Sequence, residues 1–241
     1  MNTQLLFRRF AAEVLGTGTL VAAVVGSGIM ATRLTQDVGL QLLINALATV
    51  AALAVLIWSL GPVSGAHFNP AVTLVAALRR EIAPVEAGGY ILAQCLGGLA
   101  GTAVADLMFD LPAWQASTHA RTGAGLWLGE VVATAGLLLV IGVLTRTGRG
   151  HLGAALVPAW IGAAYFFTSS TSFANPAVAL ARSATDTFAG IAPASLLGFV
   201  LAQFVGAALG AGLTEILHPR PGASPEPLDL PEPIHEHTHH P

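Results

Sequence analysis

The chain contains no lysine, one cysteine and two tyrosines, and only 10% of its residues are charged. A soluble domain carries about 25% charged residues, so this composition argues against a soluble fold. The lone Cys95 excludes an internal disulfide and any all-cysteine metal site; set in an apolar run, it reads as a packing residue. All ten basic residues are arginine and the net charge is −3, which gives no electrostatic basis for binding nucleic acid. No phosphate-cradling Gly-Lys motif is present, so an ATP-driven pump is not supported. No cleavable signal peptide is evident either: Arg8 and Arg9 precede an apolar run that reads as a retained first span. What the chain does have is apolar sequence, 54% of it, with a mean hydropathy of +0.70.

A membrane-crossing helix takes about 20 mainly apolar residues. Six stretches meet that requirement, at about 10–31, 38–60, 85–107, 126–145, 152–169 and 190–215. Each is rich in Gly and Ala, the residues that let membrane helices approach closely. Two shorter apolar segments start at Pro70 and Pro176 and run to Arg79-Arg80 and to Arg182. At 1.5 Å per residue each covers roughly 15 Å, half a bilayer core. The expected fold is therefore an all-α membrane protein with six transmembrane helices plus two re-entrant half-helices.

Both half-helices open on the same tripeptide, Asn69-Pro70-Ala71 and Asn175-Pro176-Ala177. Asn is a preferred helix N-cap and Pro is favoured at the first helical position. As a cap, the Asn oxygen accepts from the helix backbone and leaves its amide NH2 free to donate. Two helix starts meeting at mid-membrane would form a polar point with donors and partial positive charge.

The chain also repeats itself. Glu13 and Glu130 open the two halves, and Gln94 and Gln203 follow the two tripeptides by 25 and 28 residues. Three spans per half insert the halves with opposite polarity, the inverted-repeat plan of several transport folds. The repeats occupy about 8–110 and 123–217, within a membrane domain of 1–217. With a cytoplasmic N-terminus, Arg8, Arg9, Arg79, Arg80, Arg146, Arg149 and Arg220 fall inside, and Arg33, Arg121 and Arg182 outside. That bias follows the positive-inside rule and places both termini in the cytoplasm.

Three stretches carry a resemblance to the aquaporin, or major intrinsic protein, family: Ala12-Glu13-Val14-Leu15-Gly16-Thr17, the run from Ser64 to Thr73, and the run from Ser172 to Ala177. The resemblance covers about residues 8–217 and is closest to aquaglyceroporin-like bacterial members of the arsenic-associated type. It implies a homotetramer in the lipid bilayer, one pore per subunit, and amides of Asn69 and Asn175 donating to the passing solute. Backbone at Gly65, Ala66 and His67, and at Phe173 and Ala174, would line that pore, since non-helical backbone at membrane depth must be buried or face a wet cavity. Positive helix ends and paired donors disfavour protons and cations there.

The family usually has Arg directly after the second tripeptide, at the outer constriction. Here that residue is Val178. Arg182, one helical turn on, cannot be assumed to replace it. By the family pattern the other constriction positions are Thr49 and Ser172, with the fifth-span residue falling between Tyr165 and Ser169 and represented by Phe167. Thr, Ser and Val make a wide, uncharged constriction. The resemblance thus implies passive conduction of small neutral solutes: water, glycerol-like polyols, and metalloid acids such as arsenous acid (arsenite). The loss of Arg weakens one barrier to cations and one attraction for anions.

Two other readings compete. A water-selective channel differs only in its permeability ratio. A proton-coupled secondary transporter would use Glu13 or Glu130 as its coupling acid; their matched repeat positions favour a structural role, holding the loops before the half-helices. Gln94 and Gln203 are expected to satisfy backbone between helices, and His67 to keep its side chain packed. Trp58, Trp114, Trp127 and Trp160 read as interfacial anchors. No catalytic residue, metal site or cofactor is expected. The Pro- and His-rich tail, 218–241, has the composition of a disordered segment, with incidental metal affinity at most.

Overall fold

The computed structural model describes residues 3–220. Eight α-helices form: α1 (Thr3–Leu34), α2 (Val38–Ser64), α3 (Pro70–Leu78), α4 (Pro84–Met108), α5 (Ala124–Arg146), α6 (Gly153–Phe167), α7 (Pro176–Arg182) and α8 (Leu196–Leu217). Short 3-10 turns at Gly150–Leu152 and Pro193–Ser195 lead into α6 and α8. Among the described residues there is no strand. All except α3 and α7 belong to segments long and apolar enough to cross a membrane. The expected all-α architecture is therefore present, six spans and two half-length helices. Span ends differ from expectation where polar residues extend a helix beyond the apolar core. Thus α1 starts at Thr3 and carries Arg8 and Arg9 on its first turns, while Pro193 delays α8 to Leu196. The expected tail falls, from residue 221 onward, outside the described residues.

The two halves use one packing device at equivalent positions. A Cβ on Gly97 or Gly101 of α4 would lie 2.3 Å or 2.1 Å from the carbonyl oxygens of Val14 and Gly18 on α1. A Cβ on Gly206 or Gly210 of α8 would lie 2.5 Å or 2.2 Å from those of Val131 and Ala135 on α5. No side chain fits in either seam, so α1 meets α4, and α5 meets α8, backbone to backbone. Lipid chains are as apolar as leucine, so such close van der Waals packing is what holds membrane helices together. Outward positions carry apolar side chains such as Val55, Trp58, Leu92 and Leu201, all exposed. Buried polar residues concentrate inside: Glu13, Gln94, Glu130 and Gln203 are all fully buried. The α3 and α7 helices start in the middle of this interior and run in opposite directions. Arg79 and Arg80 follow α3 on the side of the chain termini, and Arg182 ends α7 on the side of the 109–123 and 183–192 loops.

Candidate functional site

The chain before each half-helix takes the same unusual path. Ala66 and Phe68 have φ of 51° and 48°, and Ser172 and Ala174 have 53° and 48°. A residue with a side chain avoids this left-handed region, at a cost of about 1–3 kcal/mol each when forced there. A buried carboxylate holds each path. Glu13 accepts from His67 N at 3.1 Å and Phe68 N at 2.7 Å. Glu130 accepts from Phe173 N at 2.9 Å and Ala174 N at 2.8 Å. Gln94 and Gln203 donate to the same carboxylates at 2.8 Å and 2.6 Å, and Ser64 Oγ adds a 2.6 Å bond to Glu13. Both carboxylates are thus occupied by neutral donors, the arrangement of a clamp. Gln94 also donates to Thr73 Oγ1, tying α4 to the half-helix it flanks.

The capping geometry matches the sequence. Asn69 Oδ1 accepts from Ala71 N at 2.9 Å, and Asn175 Oδ1 accepts from Ala177 N and Val178 N at 3.0 Å and 3.2 Å. The amides were expected to be free, and that is half true. Asn69 Nδ2 donates to Ala174 O and Asn175 Nδ2 to Phe68 O, both at 2.7 Å. An amide NH2 carries two hydrogens, so each Asn keeps one beyond this cross-bond.

Both asparagines line a cavity of about 300 Å³ whose wall draws residues from both halves of the chain. At the terminal side its wall includes Arg79, Glu81 and Thr145; at the loop side it includes Thr49, Tyr165, Ser172 and Arg182. Gly65 to Phe68 and Ser172 to Ala174 also line it, together with the apolar Leu20, Val24, Leu53, Val72, Leu137, Ile161 and Val178. Pro70, Ala71, Pro176 and Ala177 are buried behind it as the first turns of α3 and α7.

Of the expected constriction residues, Thr49, Ser172 and Val178 lie on the cavity wall, and Phe167 does not. Phe167 is 55% exposed and packs edge-on against Trp160. Between Tyr165 and Ser169 the residue on the wall is Tyr165, whose hydroxyl donates to Thr49 Oγ1 at 3.2 Å. Two positions along a helix rotate the side chain by more than half a turn, so Tyr165 faces in and Phe167 out. Arg182 is also on the wall, stacked 3.4 Å from the Phe173 ring centroid. His67 lines the terminal-side half, with Nδ1 3.1 Å from Thr73 Oγ1 and its ring edge-on to Tyr90. Sequence reasoning missed the group that braces it: Arg9 donates to Tyr90, which donates to Ser64 O, and Arg9 pairs with Glu86. It also missed Arg121, which donates to Gly190 O at 2.9 Å beneath the loop-side mouth. Neighbouring loops are joined by Thr118, whose N–H and hydroxyl both donate to Asp186 and hold that carboxyl below its ordinary range.

Comparison with known proteins agrees with this geometry. Aquaglyceroporin AqpS of Rhizobium meliloti (strain 1021) is 55% identical over 208 residues, covering 86% of this chain and 89% of that protein. Aquaporin Z of Rhodopseudomonas palustris is 31% identical over 238 residues, covering 92% of this chain and 96% of that protein. The crystal structure of the aquaglyceroporin from Plasmodium falciparum shares the fold, with a TM-score of 0.67 at 22% identity over 89% of this chain and 98% of that one. The family profile described as major intrinsic protein matches residues 1–211. The chain belongs to the major intrinsic protein family.

Proposed function

We propose that the protein is a passive membrane channel for small neutral solutes: water, glycerol-like polyols, and neutral metalloid acids such as arsenous acid. The observation that carries this reading is the continuous cavity with an asparagine donor from each half at its centre and no large side chain at position 178. A polyol has hydroxyls along one edge and C–H groups along the other. The cavity is lined both by residues that offer hydrogen bonds, among them Asn69, Asn175 and Ser172, and by aliphatic side chains. Neutral trihydroxy acids share that hydrogen-bonding pattern. Thr49, Tyr165, Ser172 and Val178 form the constriction in this reading. The 55% identity to a protein named an aquaglyceroporin supports polyols over water alone.

Conduction needs no turnover chemistry, and the chain acts as a channel, not an enzyme. Glu13 and Glu130 are not coupling acids, because their oxygens are occupied by backbone N–H groups and glutamines. We place the protein in a bacterial inner membrane as a homotetramer with both termini cytoplasmic, in accord with the arginine bias along the chain and with the family. Stopped-flow light scattering on proteoliposomes tests the reading. Glycerol and water flux should be non-saturating and indifferent to a pH gradient. Saturable, gradient-driven uptake would establish a transporter instead.

A further inference from the structure

Arg182 is 3% exposed, ends α7, and lines the loop-side half of the cavity four residues beyond Val178. Its Nε donates to Ala189 O at 2.5 Å, and its guanidinium carbon lies over the Phe173 ring. Among the described residues neither terminal nitrogen has a hydrogen-bond acceptor, and Arg182 joins no ion pair. Arg121 lies 5.3 Å from the same ring centroid. The carboxylate near them, Glu130, is turned to Phe173 N, Ala174 N and Gln203. Beside the Phe173 ring two guanidinium groups therefore stand near one carboxylate that is engaged elsewhere, and Arg182 presents its charge to this part of the cavity wall. A buried, unpaired guanidinium is costly. A carbonyl and an aromatic face offset part of that cost, and the polar cavity accommodates the rest.

We infer that Arg182 is the charge-selectivity residue of this channel, excluding cations and protons, while Val178, Thr49, Tyr165 and Ser172 separately set its width. The assignment rests on the channel reading above. An arginine at position 178 would do both jobs at once, narrowing the constriction and charging it. Here the charge is about 6 Å further along the helix axis. The constriction is relieved of a large side chain, and the field at the mouth is kept. A fixed charge in a low-dielectric wall acts over several ångströms, so it repels a cation while leaving the constriction at 178 clear for a neutral solute. The arrangement is cation-excluding and wide at once, a combination not expected from the absence of Arg at 178.

The full chain is reconstituted in proteoliposomes as wild type, Arg182→Gln and Arg182→Lys. Glycerol flux is read by light scattering, and proton or potassium flux by an internal dye under an imposed potential. Arg182→Gln should raise cation flux at least tenfold, with Arg182→Lys staying at the wild-type level. An unchanged leak in Arg182→Gln, or an equal leak in Arg182→Lys, would overturn the assignment. If Arg182→Gln carries no glycerol, Arg182→His asks the same question by titration: the potassium leak should rise tenfold as pH is raised and the imidazole loses its charge, and no rise overturns the assignment. Wild-type vesicles that pass neither glycerol nor water would overturn the channel reading and this assignment together. Wild-type glycerol flux with a leak indifferent to these variants overturns the assignment alone.

Discussion

Asn69 and Asn175 are each hydrogen-bonded to the residue that precedes the other: Asn69 Nδ2 to Ala174 O and Asn175 Nδ2 to Phe68 O. Each half-helix start is thereby held by the opposite repeat. The same side chain caps its own helix, bonds its partner's loop, and keeps one N–H beyond that bond. Replacing Asn175 with Ala removes a cap worth about 1 kcal/mol and leaves the buried Phe68 carbonyl unpaired, at about 1–3 kcal/mol more. Asn175→Ala and Asn69→Ala should each lower the thermal midpoint in detergent. The double variant should lose less than the sum, because the two changes damage one shared junction.

Glu13 and Glu130 discriminate the channel from the coupled transporter. Glu13 accepts four hydrogen bonds, from Ser64, His67, Phe68 and Gln94. Glutamine would turn donors toward donors, so Glu13→Gln should cost roughly 3 kcal/mol and reduce the yield of folded protein. Any folded fraction should still conduct, without pH-gradient dependence. A variant of native stability that has lost gradient-driven uptake would instead mark Glu13 as a coupling acid.

The glycine seams predict a position-specific penalty within one helix. Gly210→Ala places a methyl 2.2 Å from the Ala135 carbonyl oxygen, whereas Gly212 has nothing within 4 Å of the added atom. Gly210→Ala should be destabilising by about 1–3 kcal/mol, and Gly212→Ala neutral or stabilising. Thermal unfolding of the two single variants side by side checks the difference.

Asp186 links the 183–192 segment to Thr118 on the loop between α4 and α5. The two Thr118 donors, aided by His119, hold the Asp186 carboxyl low. A depressed carboxylate contributes stability above its unfolded pKa, near 3.9, and loses it as pH falls through the lower folded value. Limited proteolysis of residues 109–123 should therefore accelerate only in strong acid for the wild type. Asp186→Asn should be cleaved faster near neutrality and show little of that acid dependence.

The elements legible in the sequence were those set by local chemistry and by repetition. Apolar length marked the spans, the Asn-Pro pair marked both half-helix starts, and the matched Glu positions pointed to the loop clamps; Gln94 and Gln203, expected to bond backbone, instead donate to those two carboxylates. What stayed hidden depended on side-chain direction and on the other repeat. Between Tyr165 and Ser169 no local signal identifies the inward residue; the rotation of α6 against α2 decides it, and brings Tyr165 to Thr49. The cross-bond of Asn69 needs Ala174, 105 residues away. Arg182 reaches the cavity because the following loop turns back and offers Ala189 O to its Nε. No spacing rule carries that information, and so the sequence showed only that position 178 lacks the arginine.

The most direct test of the wide, neutral-solute channel is the glycerol-to-water permeability ratio of wild type and Val178→Arg, measured by stopped-flow light scattering on matched proteoliposomes. A guanidinium at 178 would project from the second half-helix into the constriction beside Tyr165 and Ser172. The ratio should fall at least tenfold, with water flux retained. A wild type that passes water and excludes glycerol, or a ratio unmoved by Val178→Arg, would contradict the account.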